Sequence, residues 1–194
     1  MPVTASCAVA GSQSVFRAAM NAMARPGRRF SLGTDFDPPP PLTATTAALL
    51  LTLCDFETPV WLDAALADST GVRELLRFHT GARFVATPRE AAFAAISDSL
   101  RMPPLADFAQ GTADYPDRST TLIIGVRSLS TQDWRLEGPG INGHVHFAAA
   151  PLPAGFAAQM RANRAAFPRG VDVLLVTEDA IAALPRSVVL TEAG

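Results

Sequence analysis

Residues 119–129 read STTLIIGVRSL, and residues 170–176 read GVDVLLV. Both stretches are β-branched apolar runs bounded by polar or glycine residues, and both read as strands. The second is apolar enough to be buried. Outward from this pair the pattern alternates between periods. Upstream, TPVWLD (58–63), ARFVA (82–86) and AFAAI (92–96) read as further strands, and Arg28 to Leu32 as a short one. Between them lie helical patterns. GSQSVFRAAMNAMA (11–24) carries Val15, Phe16, Ala19, Met20 and Met23 at helical spacing, with Ser12 or Ser14 available as a cap and Pro26-Gly27 as the stop. TATTAALLLTLCD (43–55) is apolar nearly all round and reads as a buried helix, and ADSTGVRELLRF (67–78), starting at Ser69 or Thr70, as another. Thr87, Pro88 and Glu90 form a capping-box pattern over a one-turn helix.

Downstream, WRLEGPGI (134–141) is expected to pair with the 119–129 strand, and PAGFAAQMRANRAA (153–166) to form a helix with Arg161 and Arg164 on a basic face. AIAALPRSVVL (180–190) reads as strand, bend, strand. DFDPPPPL (35–42) is expected to be a stiff, extended surface connection, because proline gives no ladder hydrogen bond and restricts its predecessor. GTADYPDR (111–118) reads as a loop. This alternation of strands and helices predicts a single three-layer α/β/α domain over residues 1–194, built on a mixed sheet.

Composition bounds the function. The chain has 194 residues, 48% of them hydrophobic, and a formal net charge of -2. A chain of this length buries roughly 70% of its unfolded surface and needs no disulfide staple. No apolar run approaches a membrane span. The first ten residues carry no basic region ahead of an apolar one, so no secretory signal is expected and a cytoplasmic location is. The near-neutral charge argues against nucleic acid as a partner. Cys7 and Cys54 stand alone, with no CxxC, which gives neither a zinc cluster nor a disulfide framework. All sixteen basic residues of the Lys and Arg class are arginine. Without lysine the chain cannot hold pyridoxal phosphate as a Schiff base, and it has no phosphate-loop lysine.

The motifs that could carry chemistry are short. His144 and His146 stand at i, i+2, which on a strand would face one side as a metal pair needs. No third ligand is evident beside them, and Asn142-Gly143 suggests a turn, so they read as two exposed loop histidines. GPGI (138–141) lacks the spacing of either phosphate-binding glycine loop and reads as a turn closing a strand. RFHTG (77–81) puts Arg77 and His79 at a helix C-terminus, where the dipole favours cations and where they could also meet an anion. FPRG (167–170) sets Arg169 at the mouth of a buried strand, near where α/β sheets gather ligands. No GxSxG, HExxH or kinase signature occurs, and no carboxylate pair stands out.

Taken in order, FRAAMNAMARPG, LLLTLCDFETPVWL, LRFHTGA, GTADYPDRSTTLII, LEGPGI, FPRGVDVLLV and ALPR resemble the H-subunit (PhnH) family of the bacterial carbon–phosphorus lyase system, from about Phe16 to Arg186. The resemblance implies a fold similar to pyridoxal-phosphate-dependent transferases without the cofactor. It implies a homodimer that joins G, I and J subunits in a core complex. With an L component, such a complex couples MgATP to an alkylphosphonate, releases adenine and gives a ribose 1-phosphonate 5-triphosphate. The family pattern carries over to Phe16, Arg17, Met23, Pro26 and Gly27. Arg28, Arg29 and Cys54 look particular to this chain.

Two functions are then open. In the first, the chain is an accessory subunit with no catalytic residues and no cofactor or metal of its own. In the second, it binds a phosphonate or triphosphate through Arg17, Arg77, His79 and Arg169, since arginine suits bidentate recognition of phosphate oxygens. The second needs those side chains to converge on one pocket.

Overall fold

Two continuously buried strands cross the middle of the molecule and define its sheet. The computed structural model describes residues 5–34 and 36–192, with side chains from Gly11 onward. In β5 (Thr121–Gly125), Leu122 and Ile124 face one side and Ile123 the other. In β8 (Asp172–Val176), Val173 and Leu175 point one way and Leu174 and Val176 the other. All are buried, as strands covered on both faces must be. They pair in parallel, Ile123 opposite Leu174. β4 (Phe93–Ile96), β2 (Pro59–Leu62) and β3 (Arg83–Phe84) continue the parallel ladder on one side. On the other side, β9 (Ala180–Leu184) is antiparallel to β8, and β1 (Phe30–Ser31) is antiparallel to β9. The seven-stranded mixed sheet runs β1-β9-β8-β5-β4-β2-β3.

One face is covered by helices. These are α1 (Ala5–Ala24), α2 (Ala44–Leu53), the five-residue α3 (Ala64–Asp68) and α4 (Thr70–Thr80). Val15, Ala19, Leu49, Leu50, Leu66, Val72 and Leu76 from these helices close one apolar cluster over Ala95, Ile123 and Leu174. Thr43 caps α2, its hydroxyl accepting the Thr46 N–H. α4 stops at Gly81, which takes the left-handed conformation at φ 69°. α1 starts ahead of the residue 11 that the sequence suggested, so Ser12 and Ser14 lie inside the helix. Ser14 Oγ instead donates to the Gly11 carbonyl at 2.7 Å. The side chain of Cys7 lies outside the described residues.

The other face differs from the α/β/α expectation. It is built by a three-stranded antiparallel sheet, β10-β6-β7, together with α5 (Phe156–Ala165). The 119–129 stretch is not one strand. It divides at Val126-Arg127 into β5, which stays in the large sheet, and β6 (Ser128–Glu137), which leaves it. Residues 134–137 are therefore the end of β6. They pair with β7 (Val145–Ala150) and β10 (Val189–Glu192), and not with 119–125 as expected. Leu136, Phe147, Phe156, Met160 and Leu190 form the second cluster over Leu122, Ile124, Val173 and Leu175. The proline-rich connection also bends: Leu42 N–H donates to Pro39 O at 3.2 Å. Asp35 lies outside the described residues.

Candidate functional site

Connections leave adjacent strands for opposite faces at one place. β2 runs into α3 and α4 on the helical face. β4 runs into the 99–108 segment, whose Leu105 and Phe108 belong to the other cluster. Such a reversal between neighbouring parallel strands opens a crevice at their carboxyl ends, where open α/β sheets bind ligands. Here the crevice is stitched shut by the chain itself. Asp63, the residue after β2, is 9% exposed. Its Oδ1 accepts the Leu66 N–H at 3.0 Å and so caps α3. Its Oδ2 accepts the Ser97 N–H at 2.6 Å, the Ser97 hydroxyl at 2.8 Å and the Asp98 N–H at 3.1 Å. The first two residues after β4 are thus tied to the end of β2.

Beside this knot, a cleft of about 610 Å³ opens over the carboxyl ends of β4, β5 and β8. Asp98, Arg127, Glu178 and Asp179 bring charge to it, and Thr43 and Ser99 line it too. Ser99 donates to Pro151 O at 2.7 Å. Asp179 is paired with Arg29 from outside the cleft. The balance of charge is acidic, which does not suit an unaccompanied phosphate.

The four residues singled out from sequence do not meet in this cleft. Arg17 is exposed on α1 and lines a separate shallow hollow of about 500 Å³ with Phe16, Met20 and Thr52. Arg77 is exposed in the last turn of α4, its guanidinium 5.6 Å from the centre of the Phe84 ring. His79 lies edge to face with Phe78 at 5.0 Å. Arg169 is exposed in the turn before β8, and so at the amino end of that strand, opposite to the ligand-binding end. Phe84 belongs to β3, four ladder steps from β8, so Arg77 and Arg169 are separated by about 19 Å across the sheet alone. None of the four side chains has a hydrogen-bonded or ion-paired protein partner among the described residues.

Several sequence motifs turn out to hold the chain together. Arg186, in ALPR, binds the Asp172 carboxylate with Nε and Nη2, Pro116 O with Nη1 at 2.6 Å, and Ser119 Oγ with Nη2. Asp172 in turn accepts the Arg186 N–H at 2.8 Å. One guanidinium, with both ion-pair partners only 14% exposed, therefore joins the 116–119 turn to the start of β8. GPGI is a turn, closed by Ile141 N–H to Gly138 O at 3.1 Å. A Cβ on Gly140 would stand 2.1 Å from the Ala24 carbonyl oxygen. The glycine lets the end of α1 sit against the turn, which ties the MARPG corner to GPGI. Asn163 closes the FPRG turn through two hydrogen bonds with the backbone of Val171, at 2.8 and 2.9 Å.

The two described groups with clearly shifted proton affinities, Cys54 and Asp55, lie away from the cleft. Burial, with a smaller contribution from the Asp55 charge, pushes the Cys54 thiol up to about 12. Asp55 itself is exposed and held below the usual carboxylate range by the Thr58 hydroxyl and the Glu57 N–H. The exposed apolar residues are more unusual. Phe78 is 84% and Phe56 73% exposed. Phe56 stands against Gly81, whose Cβ position lies 3.2 Å from Phe56 Cβ, and Phe78 lies three residues before that glycine on α4. No periodicity marked them, because Phe56 sits in a loop and Phe78 lies off the buried Val72/Leu76 stripe of its helix.

Fold and site together define a mixed α/β protein with a mainly parallel sheet, a self-closed switch-point crevice and exposed phenylalanines. The chain belongs to the PhnH family: residues 5–191 match the family of bacterial phosphonate metabolism protein (PhnH). A relative from Rhizobium meliloti (strain 1021) is named alpha-D-ribose 1-methylphosphonate 5-triphosphate synthase subunit PhnH. It is 44% identical over 177 residues, which span 91% of this chain and 88% of that protein.

Proposed function

We propose that this chain is an accessory subunit of a ribose 1-methylphosphonate 5-triphosphate synthase, acting in alkylphosphonate breakdown and contributing no catalytic group of its own. The observation that carries this reading is Asp63. At the place where an α/β enzyme would hold its ligand, all the acceptor capacity used by this carboxylate goes to the chain's own Leu66, Ser97 and Asp98. The 44% identity to a synthase subunit supports the assignment to that assembly.

The partners are the other subunits of the synthase, the G, I and J subunits of the resemblance, and a second copy of the chain. Phe56 and Phe78 supply the kind of aromatic surface that interfaces bury, and Arg77 precedes Phe78 in the last turn of α4. The likeness to pyridoxal-phosphate-dependent transferases is part of the same proposal, without the cofactor, since no lysine exists to bind it. So is residence in the cytoplasm. No described helix is long and apolar enough to cross a membrane.

A second reading, in which Arg17, Arg77, His79 and Arg169 hold a phosphonate or triphosphate, is supported by the absence of a hydrogen-bonded or ion-paired partner for these side chains among the described residues. It is weakened by their separation. Calorimetry on the isolated chain distinguishes the two. MgATP and methylphosphonate, alone or together, are expected to give no saturable heat. Saturable binding that disappears in Arg77→Ala or Arg169→Ala would overturn the accessory reading in favour of a ligand-binding subunit.

A further inference from the structure

The outer face of the small sheet carries a histidine pair outside the cleft and the aromatic patch described above. In the β6–β7 ladder Arg135 stands opposite His146 and Leu136 opposite Val145. Continued by one residue, that register sets Glu137 opposite His144. Leu136 is fully buried beneath the sheet, so its neighbours Arg135 and Glu137 turn to the solvent side. His144 and His146 are exposed on the same side, and their rings meet edge to face with centroids 5.3 Å apart. His146 lies within β7, and His144 is the loop residue directly before it, as the loop reading expected, so the pair spans the entry to the strand. Two of the three histidines in the chain thus stand together at the start of one strand.

We infer that His144 and His146 form a two-point binding site for a borderline divalent transition-metal ion of the zinc class. Neutral imidazole nitrogens are good ligands for such ions. With metal–nitrogen bonds of about 2.0–2.1 Å, the two donor nitrogens need to come within about 4 Å of one another. Exposed rings on adjacent same-face positions reach that separation by side-chain rotation alone. The neighbouring cation does not oppose the ion with a free charge, because Arg135 is paired with Glu137, Nε to Oε1 at 2.8 Å. Among the described residues no group of three His, Cys, Asp or Glu side chains is arranged to hold a metal. The ion would therefore keep open positions for water or an oxygen ligand, unlike a closed structural zinc site.

The test uses the full, untagged chain and zinc chloride, with uptake read by competition against a chromophoric chelator and by calorimetry at neutral pH. One ion per chain is expected. His144→Ala or His146→Ala weakens binding by at least about tenfold, because the second ligand acts at high effective concentration only when both are present. The double variant loses the site. Circular dichroism checks that the variants keep the fold, which substitution at exposed positions should leave intact. No saturable uptake by the wild-type chain, or equal uptake by the double variant, overturns the inference.

Discussion

Replacing Asp63 by asparagine separates a structural carboxylate from a catalytic one. As a helix cap alone, asparagine serves about as well as aspartate, so a simple cap would be insensitive to the change. Asp63 does more than cap: Oδ1 takes one backbone N–H, and Oδ2 takes two more and a hydroxyl. An amide has a single acceptor oxygen. Turned toward Ser97 and Asp98, that oxygen leaves the α3 cap unmade, which costs about 1 kcal/mol. The two remaining N–H bonds lose their charged acceptor, at about 1 kcal/mol each. The sum is about 3 kcal/mol, and in a domain of this size it lowers Tm by about 6–12 °C. Thermal unfolding followed by circular dichroism measures it. Below its Tm, the Asp63→Asn subunit should still support synthase activity once it is assembled. A fall in Tm of less than about 2 °C, with abolished activity, would refute the structural account and make Asp63 a catalytic group.

Arg186→Ala should lower stability by about 3–5 kcal/mol, read from the urea midpoint, because it leaves the largely buried Asp172 carboxylate without its counter-charge. Arg186→Lys should recover only part of this, since one ammonium cannot reach Asp172, Pro116 and Ser119 together. Gly140→Ala should yield little folded protein, while Gly143→Ala should cost only about 1–2 kcal/mol. Both glycines have positive φ, but only the first has a carbonyl oxygen within 2.1 Å of the new methyl group. For Cys54, in a Cys7→Ser background, no thiol should react with a disulfide reagent until the protein unfolds. The folded-state value of about 12 lies above the unfolded 9.0, so this group's contribution to stability is complete below pH 9 and is lost as pH rises from there toward 12. Titration of denaturation midpoints between about pH 8 and about pH 11 checks the sign.

The strands were legible where both faces are buried, because a short valine-rich run bounded by turn residues, such as DVLLV after FPRG, favours strand over helix. The Thr87–Glu90 capping box and the stop of α1 ahead of Pro26-Gly27 were legible for a similar reason: each acts within a few residues of its own position. The division of 119–129 was not. It depends on β6 finding β7 and β10, the latter far along the chain, and no local signal at Val126-Arg127 marks the change of sheet. The site was less legible still. Arg169 stands by a strand mouth as expected, and its place before β8 already sets it at the amino end; what the chain order alone does not give is that the neighbouring strands run parallel, with their ligand-binding end opposite. Asp63 and Arg186 sit inside recognised motifs. Their roles depend on Ser97 and Pro116, 34 and 70 residues distant, and so could not be read from the motifs themselves.

The central claim is that the chain works by joining an assembly. The most direct test is native mass spectrometry of the chain co-expressed with the remaining subunits of the synthase, comparing wild type with Phe56→Ser/Phe78→Ser. These two positions are largely exposed, so the double variant should fold as the wild type does. The account predicts that the wild-type chain enters the complex in fixed stoichiometry and that the variant is weakened in it or lost from it. An active synthase that forms without this chain, with the wild-type chain remaining free in solution, would contradict it.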